Sequence, residues 1–543
     1  MKEKILKNKT IFLALGIVAF FLFIWVVFNT IHPIRYIQCS NATLTIQRSY
    51  LENGEAVTKK VEIPRGYKVR VSKKQETTST IRYKNNTYTI QNKYLASSKK
   101  EAVHTDYVYA RRLVNLHNQK DEKLSKTILK KGEKAKVVSI DLKDLDSKTG
   151  EIQWYKIEKG NKEYYVRGEY VETSKKLALK NYAKDISYST YWDAYYKNGY
   201  SKNAYIRQVD YKPEEKETYK NNTMPKTVRA MHVSMNDFVH NAKSLQKIQG
   251  INTFVVEAKN DEGSILYQSD ACKEYLSDPS MAIQNAVVSK EKLKSIVKQY
   301  QDKGFYIVSR IVTFKDAIFA TENPNESLTD HKNNLVLHNN QYWPSAYSRK
   351  AWMYNVAIAN ECANLGFNEI QFDYVRFPDG TTTLNDTLNF HNTYNESKVS
   401  AIQGFLQYAK EELKSKQVYV AADIFAWPIV ACDDQDIGQF LPAIANVVDV
   451  ICPMPYLDHF SSGAFNIDNP EDHPYKTLSN FTQIAKNQMK SIPYASKYRT
   501  WIQGYTMNAK KLKLQIKSLK DNGYPDFMIW NPENMDEIKN GLK

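Results

Sequence analysis

From Val228 to the C-terminus eight short apolar runs follow one another, and the stretches between them carry helical spacing. The runs are Val228-Arg-Ala-Met-His-Val-Ser234, Thr253-Phe-Val-Val-Glu257, Phe305-Tyr-Ile-Val-Ser-Arg-Ile-Val312, Glu369-Ile-Gln-Phe-Asp373, Val418-Tyr-Val-Ala-Ala-Asp423, Val448-Asp-Val-Ile-Cys452, Thr500-Trp-Ile-Gln503 and Asp526-Phe-Met-Ile-Trp530. Near-continuous apolar runs of this length are the mark of parallel strands covered on both faces. Glu291 to Tyr300, Tyr354 to Ala363 and Ala401 to Ala409 are three of the intervening helical stretches. Strand and helix alternating eight times predict an α/β fold, a C-terminal (β/α)8 barrel over residues 226–543. An open doubly wound sheet is the alternative, but no glycine-rich phosphate loop follows the first run.

A barrel of this kind collects its chemistry at the C-terminal ends of the strands. The fourth run ends in Asp373 and the fifth, its expected neighbour, in Asp423. Two carboxyls facing one cleft are what glycoside cleavage needs, one ionised and one protonated, about 5–5.5 Å apart for retention and about 6.5–9.5 Å for inversion. Arg376, three residues past Asp373, is the expected charge partner of that carboxylate. Other polar run ends that face the same cleft are Glu257, Arg310, Asp458 with His459, and Gln503. Trp427, Tyr456 and Trp530 supply flat rings for stacking on sugars. Core packing is the better reading for Trp501, inside a strand, and for His232. The histidines and the five separated cysteines show no metal-ligand spacing, so no metal and no cofactor are expected.

The rest of the chain reads differently. Residues 11–31 are an uncharged apolar run behind Lys2, Lys4, Lys7 and Lys9. Such a run is long enough to span a bilayer, and the basic flank stays cytoplasmic. Residues 1–10 are expected to be a cytoplasmic tail and 11–31 a retained single-pass anchor, leaving the remainder outside the cell membrane. A net charge of +17 would suit nucleic acid, but export excludes that partner, and anionic wall polymers or lipid fit better. Short alternating runs over residues 32–97 and 98–174 predict two all-β modules. Residues 175–225, with Tyr182, Tyr188, Tyr191, Tyr195, Tyr196 and Tyr200, predict a packed connector.

Leu113-Val-Asn-Leu-His-Asn-Gln119, Ile128-Leu-Lys-Lys-Gly-Glu-Lys-Ala-Lys-Val-Val138, Trp154-Tyr-Lys-Ile-Glu158 and Tyr164-Tyr-Val-Arg-Gly-Glu-Tyr-Val171 together resemble a bacterial SH3-like module. A weaker copy covers residues 41 to 96. The resemblance implies a wall-peptide binder or a spacer. In the C-terminal half, Asn252 to Gly263, Tyr306 to Asp316, Leu365 to Pro378, Ala422-Asp-Ile-Phe-Ala426, Asp436-Ile-Gly-Gln439, Ile451-Cys-Pro-Met-Pro-Tyr456, Asn469 to Tyr475 and Trp530-Asn531 resemble the bacterial putative glycosyl hydrolase domain family, distantly related to the α-amylase-like barrels. That resemblance implies a glycosidase barrel with Asp373 in the nucleophile position and Asp423 as its partner.

The expected function is therefore a membrane-anchored retaining glycoside hydrolase acting on a wall or surface polysaccharide. Asp373 would attack the anomeric carbon, Asp423 would serve as acid and base, and Glu257, Arg310 and Arg376 would orient substrate. The alternative is a non-catalytic surface protein that uses the barrel to bind glycan.

Overall fold

The eight runs become a parallel sheet whose two ends meet. The computed structural model describes residues 19, 24, 26–52, 55–112, 114–120, 124–178, 209–210, 214–393, 396–490 and 492–543. Numbered within the barrel, its strands are β1 (Arg229–Val233), β2 (Thr253–Lys259), β3 (Tyr306–Val312), β4 (Glu369–Asp373), β5 (Tyr419–Phe425), β6 (Val450–Met454), β7 (Lys497–Tyr498), β8 (Thr500–Gln503) and β9 (Phe527–Trp530). Nine strands stand where eight were expected, because a two-residue strand, Lys497–Tyr498, precedes the seventh run and is parted from it at Arg499. The sheet runs β7-β6-β5-β4-β3-β2-β1-β9-β8. Lys497 and Tyr498 pair with β6, and Thr500 to Gln503 pair with β9. One short stretch of chain is thus bonded first to one edge and then to the other. The Arg499 amide donates to the Ile451 carbonyl at 3.0 Å and the Thr500 hydroxyl to the Pro453 carbonyl at 3.0 Å, which nearly closes the barrel.

The inward side chains pack as a core and not as a pore, with Val255, Val308, Ala421, Val450, Cys452, Trp501 and Met528 in one cluster. Its floor holds an ion pair without exposed surface: Arg499 reaches Glu369 with Nη1 at 2.7 Å and Nη2 at 3.1 Å, and the Tyr306 hydroxyl donates to the same carboxylate at 3.1 Å. Three of the helices outside the sheet show side-chain caps. Ser348, Ser397 and Asn508 accept from the amides of Ala351, Ser400 and Lys511 at 3.0, 3.1 and 2.9 Å. Each cap satisfies a donor that the first helical turn leaves free.

Two parts of the connector belong to the barrel body. Asn222 Nδ2 donates to the carbonyls of Asn368 and Gln417 at 2.7 and 2.9 Å, and the Asp210 amide donates to Gln403 Oε1 at 2.8 Å. The tyrosines at 182–200 lie outside the described residues. Between β3 and β5 the long loops meet in a two-stranded ladder, Thr329–Asp330 with Leu388–Asn389, over a small core of Leu328, Trp343 and Leu388. This lobe stands beside the end of β4, where Trp343 and Tyr374 have ring centres 6.1 Å apart.

The N-terminal region folds as a separate unit and is all-β. A five-stranded antiparallel sheet contains Ile34–Ile37, Lys68–Lys74, Thr78–Tyr83, Asn86–Gln91 and Leu95–Ala96, and a hairpin joins Thr43–Glu52 to Glu55–Pro64. A seven-stranded antiparallel sheet spans Tyr107–Ala110 to Val171–Glu172. Each sheet closes on its own apolar cluster, one around Ile63, Val69 and Ile81 and the other around Val108, Leu116 and Ile157. Gly150 sits at φ +78 where a Cβ would lie 1.9 Å from the Ala42 carbonyl oxygen, so only glycine fits this approach of two loops. Most of residues 11–31 lie outside the described residues. Among those described, no helix is long and apolar enough to cross a membrane.

The floor ion pair makes a stability prediction. Arg499→Met leaves the Glu369 charge buried and unpaired, at a cost of about 3–5 kcal/mol. Arg499→Met with Glu369→Leu removes both charges and is expected to be clearly less destabilised than the single variant. Denaturant unfolding followed by tryptophan fluorescence compares the two.

Candidate active site

At the mouth of the barrel three adjacent strands deliver one charged group. Glu257, Arg310 and Gln371 are register partners across β2, β3 and β4, so Arg310 lies between Glu257 and the end of β4. The Arg310 guanidinium donates from Nε at 3.0 Å and Nη2 at 2.6 Å to Asp373 Oδ2, and from Nη1 at 2.7 Å to Glu257 Oε1. One planar cation therefore sets the positions of two carboxyls. Burial works against the Arg310 charge, and the Asp373 and Glu257 carboxylates outweigh it. Asp373 Oδ1 accepts the Tyr374 amide at 2.6 Å, and Tyr374 holds φ at 46°, a left-handed backbone uncommon for a side chain of that size. The strand thus ends abruptly with its last carboxylate held from both sides.

Asp423 lies deeper than its place at the end of an apolar run implied. Strand β5 continues through Ile424 and Phe425, so Asp423 sits two residues inside it and has no exposed surface. Its Oδ1 accepts from Trp501 Nε1 at 2.8 Å and Gln371 Nε2 at 2.7 Å, while Oδ2 has no protein hydrogen-bond partner. Burial first, and the Asp373 charge second, push this carboxyl well above the ordinary carboxylate range. Glu257 is also raised, by burial against the pull of Arg310, yet 22% of its side chain remains exposed.

Aromatic rings wall the same space. Trp530 lies over Arg310, 4.9 Å from the guanidinium carbon to the ring centre, and its ring stands 4.4 Å from His232 and 6.5 Å from Tyr456. Tyr456 in turn meets His459 and Tyr505, and the Tyr505 hydroxyl donates to Asp458 at 2.8 Å. Contacts therefore connect Glu257, Arg310, Asp373, Trp530, Tyr456, Asp458 and His459 in one series, and Asp423 joins it through Trp501. Trp427, 53% exposed on the helix after β5, stands outside that series.

Two expectations are corrected. Arg376 does not pair with Asp373. It donates to the Phe377 carbonyl at 2.9 Å and to Asp379 at 3.1 Å, and stacks over Phe425, so it braces the loop after β4. Gln503 is fully buried and bonds to the Leu457 amide at 2.8 Å and to Gln515 and Thr506, which makes it a fastener of the loops after β6 and β8. His232 is half-buried, its Nε2 is enclosed without a hydrogen-bond partner, and desolvation beside Arg310 pushes its pKa down to about 3. Tyr505 is a site residue that the sequence does not mark, since it lies beyond the apolar run that ends at Gln503 and its place beside Asp458 and Tyr456 is set by the loop. Among the described residues no group of three or more His, Cys, Asp or Glu side chains is placed to hold a metal ion.

Fold and site together define a nearly closed parallel barrel with a carboxylate cluster at its mouth. Residues 205–535 match the family model described as "Putative glycosyl hydrolase domain", more than half of the chain. The chain belongs to that family and is a glycosidase of barrel fold. No curated protein matches it. Among solved structures it is similar to a hypothetical protein from Ruminiclostridium thermocellum, at 28% identity and TM-score 0.30 over 36% of this chain and 96% of that one. It is also similar to the PgaB (BpsB) glycoside hydrolase domain from Bordetella bronchiseptica, at 12% identity and TM-score 0.41 over 58% and 99%. A third likeness is to the Flavobacterium johnsoniae chitobiase, at 10% identity and TM-score 0.39 over 59% and 48%.

The raised Asp423 carboxyl links stability to pH. Folded, it keeps its proton above the range near pH 4 where an unfolded aspartate loses it, so the native state holds one proton more across that window. Stability contributed below the window is lost as pH rises through the folded value. Asp423→Asn keeps an acceptor for Trp501 and Gln371 and abolishes this slope. The variant is expected to gain stability relative to the parent progressively as pH rises above about 4, read from denaturation midpoints at each pH.

Proposed function

We propose that this chain is a membrane-anchored glycoside hydrolase that cleaves a wall or surface polysaccharide outside the cell, with Asp373 as nucleophile. The observation that carries this reading is the Arg310 fork, which takes up Oδ2 and holds Asp373 at the end of β4, while Oδ1 accepts the Tyr374 amide. Asp423 is the proton-bearing carboxyl behind it, and its burial supports that state. Two carboxyls in opposite protonation states are what glycoside hydrolysis requires.

Around this pair Trp530 and Tyr456 form an apolar wall against which a pyranose face can pack, and Asp458 and His459 lie at its rim. The uncharged run at residues 11–31 and the lysines before it support the anchor. The net positive charge supports a place near anionic wall polymers, which the N-terminal β modules would meet.

Asp373→Asn is expected to lower the release of reducing ends from purified wall polysaccharide by at least about a hundredfold, the loss typical of a positioned catalytic group. Unchanged release would end the assignment. Removing residues 1–31 is expected to move the protein from the membrane fraction to the soluble fraction. Continued sedimentation with membranes would refute the anchor.

A further inference from the structure

Of the two carboxyls whose proton affinity is raised, only one reaches the cleft. Asp423 has no exposed surface, and Trp501 and Gln371 hold its Oδ1. Its partner-free Oδ2 is sealed as well, so a glycosidic oxygen in the cleft does not reach this carboxyl in the structure as it stands. Glu257 stands two residues before the end of β2, where the pairing with β3 shifts register, with part of its side chain exposed, and it shares the Arg310 guanidinium with Asp373. Arg310 Nη1 holds Glu257 and Nη2 holds Asp373, so one rigid guanidinium keeps the two carboxyls side by side in the cleft.

We infer that Glu257 is the general acid and base of the reaction, partnered with Asp373 through Arg310, and that Asp423 is a positioning residue. This rests on the reading of Asp373 as nucleophile. In the first step Asp373 Oδ1 bonds to the anomeric carbon while the bond from that carbon to the leaving oxygen breaks. Glu257 gives its proton to the leaving oxygen and becomes a carboxylate. In the second step Glu257 takes a proton from water, the water oxygen bonds to the anomeric carbon, and the ester to Asp373 breaks. Both residues return to their starting forms. Burial of Glu257, which favours its protonated form, suits the first step. Arg310 stays charged throughout and stabilises Glu257 once the proton has gone.

The test uses the full chain with purified wall polysaccharide, and measures reducing ends across pH with and without sodium azide. Azide attacks a glycosyl ester without needing a base, so it replaces the water that Glu257 activates. Glu257→Gln is expected to lose about 10²–10⁴-fold in rate and the alkaline limb of the pH profile. On an aryl glycoside, whose phenolate leaves without needing a proton, Glu257→Ala is expected to regain turnover with azide and to release an azido sugar detectable by mass spectrometry. Asp423→Asn is expected to keep the alkaline limb and to release no azido sugar. An inactive Asp373→Asn beside a Glu257→Gln of wild-type rate overturns this assignment alone, as does azido sugar from the Asp423 variant. An active Asp373→Asn overturns the reading beneath it.

Discussion

Everything at the mouth of this barrel depends on how its floor is closed. A parallel sheet that curls into a barrel must satisfy both of its edges, and here that task falls to the chain around Arg499, which bonds to β6 before it and β9 after it. The Arg499 side chain then turns inward and meets Glu369 on β4, across the barrel, with Tyr306 on β3 as a third member. Charge buried this deeply is stable only when fully paired, so the group resists any change of register among those strands. A one-residue slip of β4 would reverse its faces and move Glu369, Gln371 and Asp373 from inside to outside together. The position of the candidate catalytic carboxylate is thus inherited from an ion pair four residues earlier on the same strand.

Above that floor the electrostatics change character. Glu369 and Arg499 balance one another with no exposure, whereas Arg310 serves two carboxyls and leaves Asp423 to keep its own proton. The protein separates these acids by depth and by partner: Asp373 is bonded to a cation, Glu257 shares that cation and stays partly wet, and Asp423 receives only neutral donors. Burial raises the proton affinity of both Glu257 and Asp423, against the pull of Arg310 in the first and with the Asp373 charge adding to it in the second.

Much of this was legible beforehand, for a definite reason. Apolar runs such as Thr253 to Glu257 and Phe305 to Val312 record strands covered on both faces, so their number and order survive in the linear text. Asp373 was legible because β4 stops at it. What escaped depended on register between distant segments. Arg376 is three residues from Asp373 and looked like its partner, but the loop carries it away, and Arg310, sixty-three residues distant in sequence, arrives across the β3–β4 ladder. Asp423 looked like a strand end because a carboxylate interrupts an apolar run, and only the pairing of Ile424 and Phe425 with β6 shows that the strand continues. Gln503 reads as a cleft residue from its place at a run end, yet its amide is spent on fastening loops.

The Arg310 fork has one more consequence, in the accounting of charge. On the proposed assignment Glu257 and Asp423 carry protons and Asp373 faces Arg310 as a carboxylate, so a neutral sugar would enter without bringing or displacing an ion. As the anomeric centre became cationic, Asp373 would meet it and Glu257 would give up a proton that leaves with the departing alcohol. Positive charge formed on the substrate would then be matched by negative charge formed beside the same guanidinium, and the cleft would need no counterion from solution.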